Sequence, residues 1–142
     1  MLLRYLDRSQ PVALVVLRLV LGSIMIAHGR SKVFGGMAHS VQFISSLGLP
    51  GWMAYLSAYT EFFGGILIIL GLFARVVALG MLIDMLVAIA KVHWKKGLVG
   101  AGGFEFPLAL AAISFALILF GAGPIAFDAI RRGGGWAGKK SL

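Results

Sequence analysis

Three ionisable side chains stand where water is not expected. Arg18, Glu61 and Asp84 each lie inside a separate apolar run of this 142-residue chain. If such a run crosses a bilayer, a charge within it costs roughly 2.5–3.5 kcal/mol on insertion scales. It is tolerated where it meets other protein groups, water or a ligand, so each of the three needs partners. An arginine with two carboxylates can build a charge-assisted network, and two neighbouring carboxylates can leave one of them holding a proton. Two roles fit. The network is the polar floor of a pocket or a proton relay, or it is a set of ion pairs that only fixes helix register.

A second group falls at the ends of the runs: His28, Arg30, Lys32, Lys91, His93 and Glu105. In the simplest case these are snorkelling Lys and Arg side chains and interfacial histidines. The sharper reading is a mouth that takes an anionic or quinone-like head group, with His28 and His93 donating or relaying protons. Two histidines at helix ends are weak grounds for a bis-histidine haem, and haem is not expected. His39 falls on a polar face and is read as solvated. No metal site is expected.

These residues must be positioned by four apolar runs, at about 11–29, 52–73, 76–92 and 104–120. The first opens on Pro11, which a first helical turn accepts. The run is too long for a signal peptide and carries Arg18, so an uncleaved span is expected. Arg18, Gly22, Met25 and Gly29 share one of its faces, where small residues allow close approach. Gly35-Gly36 breaks the chain, and Met37 to Leu47 has the pattern of a short amphipathic helix lying at the interface. Gly48-Leu49-Pro50-Gly51 signals a turn.

In the second run Ser57, Glu61, Gly64 and Ile68 share a face. The short link from Gly71 to Arg75 makes the third run an antiparallel neighbour. Asp84 is at the centre of that third run, with Lys91 on the same face. Gly97 to Gly103 is a glycine-rich loop without the strand and Lys-Ser or Lys-Thr of a nucleotide-binding loop. Glu105 and Pro107 open the fourth run. Counted at 1.5 Å per residue, Arg18 is roughly 3 Å below the midplane, Asp84 is at it and Glu61 is slightly outward. A compact bundle then brings all three within side-chain reach.

Composition agrees. The chain is 60% hydrophobic and 13% charged, against about a quarter charged in soluble domains, so an integral membrane protein is expected. The net charge of +8 does not point to nucleic acid, because the basic residues flank the apolar runs. Without cysteine the chain has no thiol chemistry, iron–sulfur ligands or thiolate zinc site of its own. The expected fold is all-α: a transmembrane four-helix bundle, one membrane domain over 1–142, with a short interfacial helix between spans one and two and a basic tail at 131–142. Four spans put both termini on one side. Arg4, Arg8, Arg75, Arg131, Arg132, Lys139 and Lys140 lie there and outnumber the basic residues opposite, so that side is cytoplasmic.

Several motifs follow one another along the chain. Arg18-Leu19-Val20-Leu21-Gly22 leads to His28-Gly29-Arg30-Ser31-Lys32. Gly48-Leu49-Pro50, Glu61-Phe62-Phe63-Gly64-Gly65, Gly71-Leu72-Phe73-Ala74-Arg75 and Gly103-Phe104-Glu105-Phe106-Pro107-Leu108 come next. In order and spacing this resembles the DoxX family of small bacterial four-helix membrane proteins, over roughly Leu17 to Gly123. The resemblance implies an inner-membrane subunit of a quinone-linked oxidoreductase, such as thiosulfate:quinone oxidoreductase, or a member of an oxidative-stress complex. It marks Arg18, His28, Lys32, Glu61 and Glu105 as the matching polar positions.

The leading expectation is a subunit that binds quinone, or a similar amphipathic molecule, in an apolar pocket between helices. Its site residues are Arg18, His28, Glu61, Asp84, Lys91, His93 and Glu105. The bilayer, a soluble or membrane redox partner and a second copy of the chain are the expected partners. Nucleic acid is not. A small proton-coupled transporter and a non-enzymatic membrane scaffold are the alternatives.

Overall fold

The computed structural model describes residue 6 and residues 8–133. The expectations for Arg4, Tyr5 and Asp7, and for the tail beyond Gly133, lie outside the described residues.

The chain is all-α. Helix α1 spans Gln10–Ser31, with Pro11 in its first turn as expected. Its 22 residues rise roughly 33 Å, enough to cross a hydrocarbon core. The helix is broken at Phe34 and Gly35, and Gly35 has φ 127°, which a side chain would strain. Helix α2, Met37–Ser46, follows the break and has no buried residue, in keeping with its amphipathic sequence. Helix α3 spans Met53–Leu70 and α4 spans Ala74–Ala88. α4 does not stop at Ala88. It continues through one π-helical turn, Ile89–His93, and a 3-10 turn, Trp94–Lys96. Helix α5 spans Glu105–Phe120, and a short helix α6, Phe127–Arg131, follows it. α1, α3 and α4 with its continuation are long and apolar enough to cross a membrane; α5 is apolar but has 16 residues.

α1 and α3 pack antiparallel at backbone distance. A Cβ on Gly22 would lie 2.7 Å from the Gly65 carbonyl oxygen, and one on Gly65 would lie 2.7 Å from that of Gly22. Further along, Gly29 rests against the backbone of Phe62. Without a hydrophobic drive between helices in lipid, such close approach is what holds them. On the other side of α3, Gly64 faces Val77 and Met81 of α4. The core is thin: Leu21, Met25, Ile68, Met81 and Leu117 are fully buried. Val16, Phe63, Val76, Ile83 and Phe115 point outward, so the apolar surface faces away from the core, as lipid requires.

Where α3 ends, the chain reverses tightly. Gly71 is left-handed, with its N–H donating to Ile68 O (3.0 Å) and that of Leu72 to Leu67 O (2.9 Å), a Schellman motif. Phe73 is also left-handed, at φ 52°, which is unusual for a bulky residue. The α6 turn holds it there. Asp128 accepts the N–H groups of Phe73 and Ala74, both at 2.9 Å, capping the start of α4. Its own N–H donates to Gly71 O at 3.0 Å, and the Arg131 guanidinium lies 4.4 Å from the Phe73 ring centre.

Candidate functional site

Glu61 is 4% exposed, midway along α3. Its cation is Lys32, just past the end of α1: Nζ donates to Oε1 at 2.7 Å and lies 2.6 Å from Oε2. Oε2 is off the donating direction and has no hydrogen-bond partner. Asp84 of α4 lies within hydrogen-bonding reach of Glu61, and its Oδ2 is likewise buried and without a donor. Two carboxyl groups and one ammonium therefore meet between α1, α3 and α4, with two acceptor oxygens left over.

Two cavities open onto this cluster. The larger, about 530 Å³, lies under α2. Phe43, Ile44, Leu47 and Val87 give it apolar walls, and Lys32, Glu61, Asp84 and Lys91 converge on it as polar groups. His39 also borders it and is exposed, in agreement with its solvated reading. The smaller, about 400 Å³, is lined by His28, His93 and Glu105 together with Glu61. His93 Nδ1 lies 2.7 Å from Gly102 O. A carbonyl only accepts, so Nδ1 carries the proton and Nε2 is the ring nitrogen left to exchange one. The His28 ring lies 6.0 Å from that of Phe106, and Trp94 stacks on Phe104 at 5.6 Å; these contacts join the start of α5 to the ends of α1 and of the α4 continuation. Of the residues common to both cavities, Glu61, Met85 and Ala88, Glu61 alone titrates.

The expected network of Arg18 with Glu61 and Asp84 is not formed. Arg18 is buried but donates to four backbone carbonyls: Ile68 O (3.0 Å), Ile69 O (2.8 Å), Ala122 O and Ile125 O (both 2.7 Å). The reason is direction. Side chains on a helix lean toward its N-terminus, so Arg18 reaches toward the ends of α3 and α5 and away from Glu61. There it meets carbonyls of the last turn of α3, at the negative end of that helix's dipole, and of the link after α5. The outer group also divides. Lys91 joins Glu61 and Asp84, while His28, His93 and Glu105 stay together. Lys32, placed by sequence among the matching polar positions, was not assigned as Glu61's partner. The signal was present, since Lys32 continues the spacing of Arg18, Gly22, Met25 and Gly29 by one further step of three.

No group of three or more His, Cys, Asp or Glu side chains among the described residues can hold a metal ion. The fit to a quinone-type molecule is better. The larger cavity combines apolar walls with the charged groups Lys32, Glu61, Asp84 and Lys91, a lining that suits an amphipathic molecule.

The pattern of the DoxX family matches residues 13–94, more than half of the chain and including Arg18, Lys32, Glu61 and Asp84. The chain belongs to the DoxX family. This DoxX protein is 37% identical to a Bacillus subtilis protein named "Putative oxidoreductase CatD", over 79% of its own length and 83% of the relative's. It is 31% identical to an uncharacterised Haemophilus influenzae protein, over 87% and 93% of the two chains. No solved structure matches. The DoxX chain is thus a membrane protein with an oxidoreductase-type relative, and its Lys32–Glu61–Asp84 cluster does not include Arg18.

Proposed function

We propose that this DoxX protein is an inner-membrane subunit of a redox-associated complex. In this reading it binds a quinone or a similar amphipathic small molecule in the cavity under α2. α5 crosses the membrane as a fourth span, its reach completed by the flanking residues, and both termini are cytoplasmic. The observation that carries the reading is the larger cavity: apolar walls ending in the Lys32–Glu61 ion pair, Asp84 and Lys91. The kinship to a protein named as an oxidoreductase points the same way.

The bound molecule supplies the electron chemistry, because the chain has no electron carrier of its own. The residues do the rest. Lys32 and Lys91 are N–H donors suited to a carbonyl oxygen, and the carboxyl groups of Glu61 and Asp84 are suited to exchanging a proton with a hydroxyl. The apolar walls exclude water and strengthen those contacts. A partner subunit delivers or removes the electrons.

The test is purification in mild detergent, followed by mass spectrometry of copurifying small molecules and an absorbance spectrum. A quinone is expected, lost or weakened in Glu61→Gln, along with quinone-linked activity in membranes. Absence of any bound quinone, with that activity unchanged in Glu61→Gln, overturns the proposal. A Soret band would replace it with haem.

Proton-coupled transport is the second reading, favoured by the two cavities that meet at Glu61. Proton-coupled flux in liposomes that is lost in Asp84→Asn distinguishes it.

A further inference from the structure

Glu61 Oε2 and Asp84 Oδ2 are both buried, both without a donor, and on carboxyl groups within hydrogen-bonding reach of each other. Two ionised carboxylates cannot satisfy one another, because each is acceptor-only. One proton between them turns one oxygen into a donor and satisfies both. It also sets the net charge of Lys32, Glu61 and Asp84 to zero, which a low-dielectric site favours; the exposed Lys91 stands apart from this group. Two carboxyl groups at this separation resist double ionisation in any case. Lys32 alone does not remove the problem, since its hydrogen bond goes to Glu61 Oε1 and neither unpartnered oxygen receives one.

We infer that Glu61 and Asp84 hold a single proton between them, and that Glu61 passes it between the two cavities. Asp84 opens on the larger cavity only, whereas Glu61 borders both. The groups that face the pair there are Lys32, Lys91 and His39. On the far side Glu61 faces His28, His93 and Glu105, and His93 offers Nε2 as the exchanging nitrogen. A proton leaving Asp84 for a molecule in the larger cavity is replaced through Glu61 from the His93–Glu105 side. No electron moves, and each transfer breaks one O–H or N–H bond as it forms another. The idea rests on the quinone-site reading only for the identity of the molecule served.

Infrared spectroscopy of the full chain in lipid nanodiscs, with no quinone added, tests it. A protonated-carboxyl C=O band is expected at neutral pH, shifting downward in deuterium oxide. Glu61→Gln and Asp84→Asn should each abolish it, because one amide supplies the donor that the shared proton had supplied. No such band in the parent, or a band that persists at full strength in Asp84→Asn, overturns proton sharing. For the transfer, the rate of the deuterium shift should fall several-fold in the His93→Asn/Glu105→Gln double variant, with the band itself retained. An unchanged rate overturns the path through the smaller cavity. A band without copurifying quinone sinks the ligand reading alone, and quinone without a band sinks this one alone.

Discussion

At the scale of single residues, the chain is governed by charges that cannot be left alone. Glu61 has one cation, Lys32, and removing it strands a buried carboxylate. We expect Lys32→Gln to destabilise the protein by about 3 kcal/mol, the lower end for breaking a buried pair from one side. Adding Glu61→Gln should restore much of that loss, because the stranded charge goes with it. Thermal unfolding in detergent of the two single variants and the double variant gives the coupling; strict additivity would show that the pair does not interact. Asp128 behaves differently, being outside the spans. Burial pushes its carboxyl up, but the N–H groups of Ala74 and Phe73, with Arg131 and Arg132, outweigh that and hold it below the ordinary carboxylate range. Its stabilising effect is therefore fully present above the unfolded-state value and is lost as pH falls through the lowered folded-state value. Asp128→Asn should cost about 1 kcal/mol at neutral pH, as for a lost helix cap, and nearly nothing once the pH is below that folded value. Unfolding curves at neutral and acid pH measure the difference; an equal deficit at both would refute the cap's charge dependence. The need of Glu61 and Asp84 for partners was legible in the sequence, because a charge in an apolar run demands one. The partners of Arg18 and Asp128 were not, because both bond to backbone groups, which every residue carries and no residue type announces.

At the scale of elements, small residues decide how near the helices come, and so whether Lys32 reaches Glu61. The α1–α3 contact leaves no room at Gly22 or Gly65. Gly65→Ala should cost about 1–3 kcal/mol as an overpacked contact. By separating α1 from α3 it should also weaken any ligand bound beneath α2. Both follow from melting temperature and from ligand retention on purification; a variant as stable as the parent would show that the helices part without cost. The elements were largely readable. The 3.6-residue period gave the apolar helices to within a few residues, and Gly35-Gly36 gave the break before α2. The π-helical turn that continues α4 was partly hidden, because it depends on what Ile89 to His93 pack against rather than on their propensity. The short helix α6 was not legible as a helix, since its stability comes from Asp128 clasping the α3–α4 reversal.

At the scale of the whole molecule, polar chemistry is concentrated toward one end and structural locking at the other. Glu61, Lys32 and both cavities lie toward the end that holds α2 and the Gly97–Gly103 loop, while Arg18, the α3–α4 reversal and α6 close the opposite end. The orientation of this arrangement follows from the basic flanks. The proposed orientation counts the basic residues of the sequence: Arg4, Arg8, Arg75, Arg131, Arg132, Lys139 and Lys140 on the side of the termini against Arg30, Lys32, Lys95 and Lys96, with Lys91 near the boundary, on the other, which by the positive-inside rule favours cytoplasmic termini. In that proposed orientation the cavities open toward the outer face, and the proposed exchange through His93 and Glu105 is with that side. The chain has no cysteine, so single cysteines report sidedness without a background. Leu98, in the loop beside the smaller cavity, and Ile130, on α6, are both exposed and apolar. In spheroplasts Leu98→Cys should react with a membrane-impermeant maleimide, and Ile130→Cys should react only after the membrane is opened. The reverse pattern would turn the molecule over and direct proton exchange toward the cytoplasm. Labelling of both from outside would put the loop and α6 on the same side of the membrane, and so would mean that α5, the helix between them, is not a span.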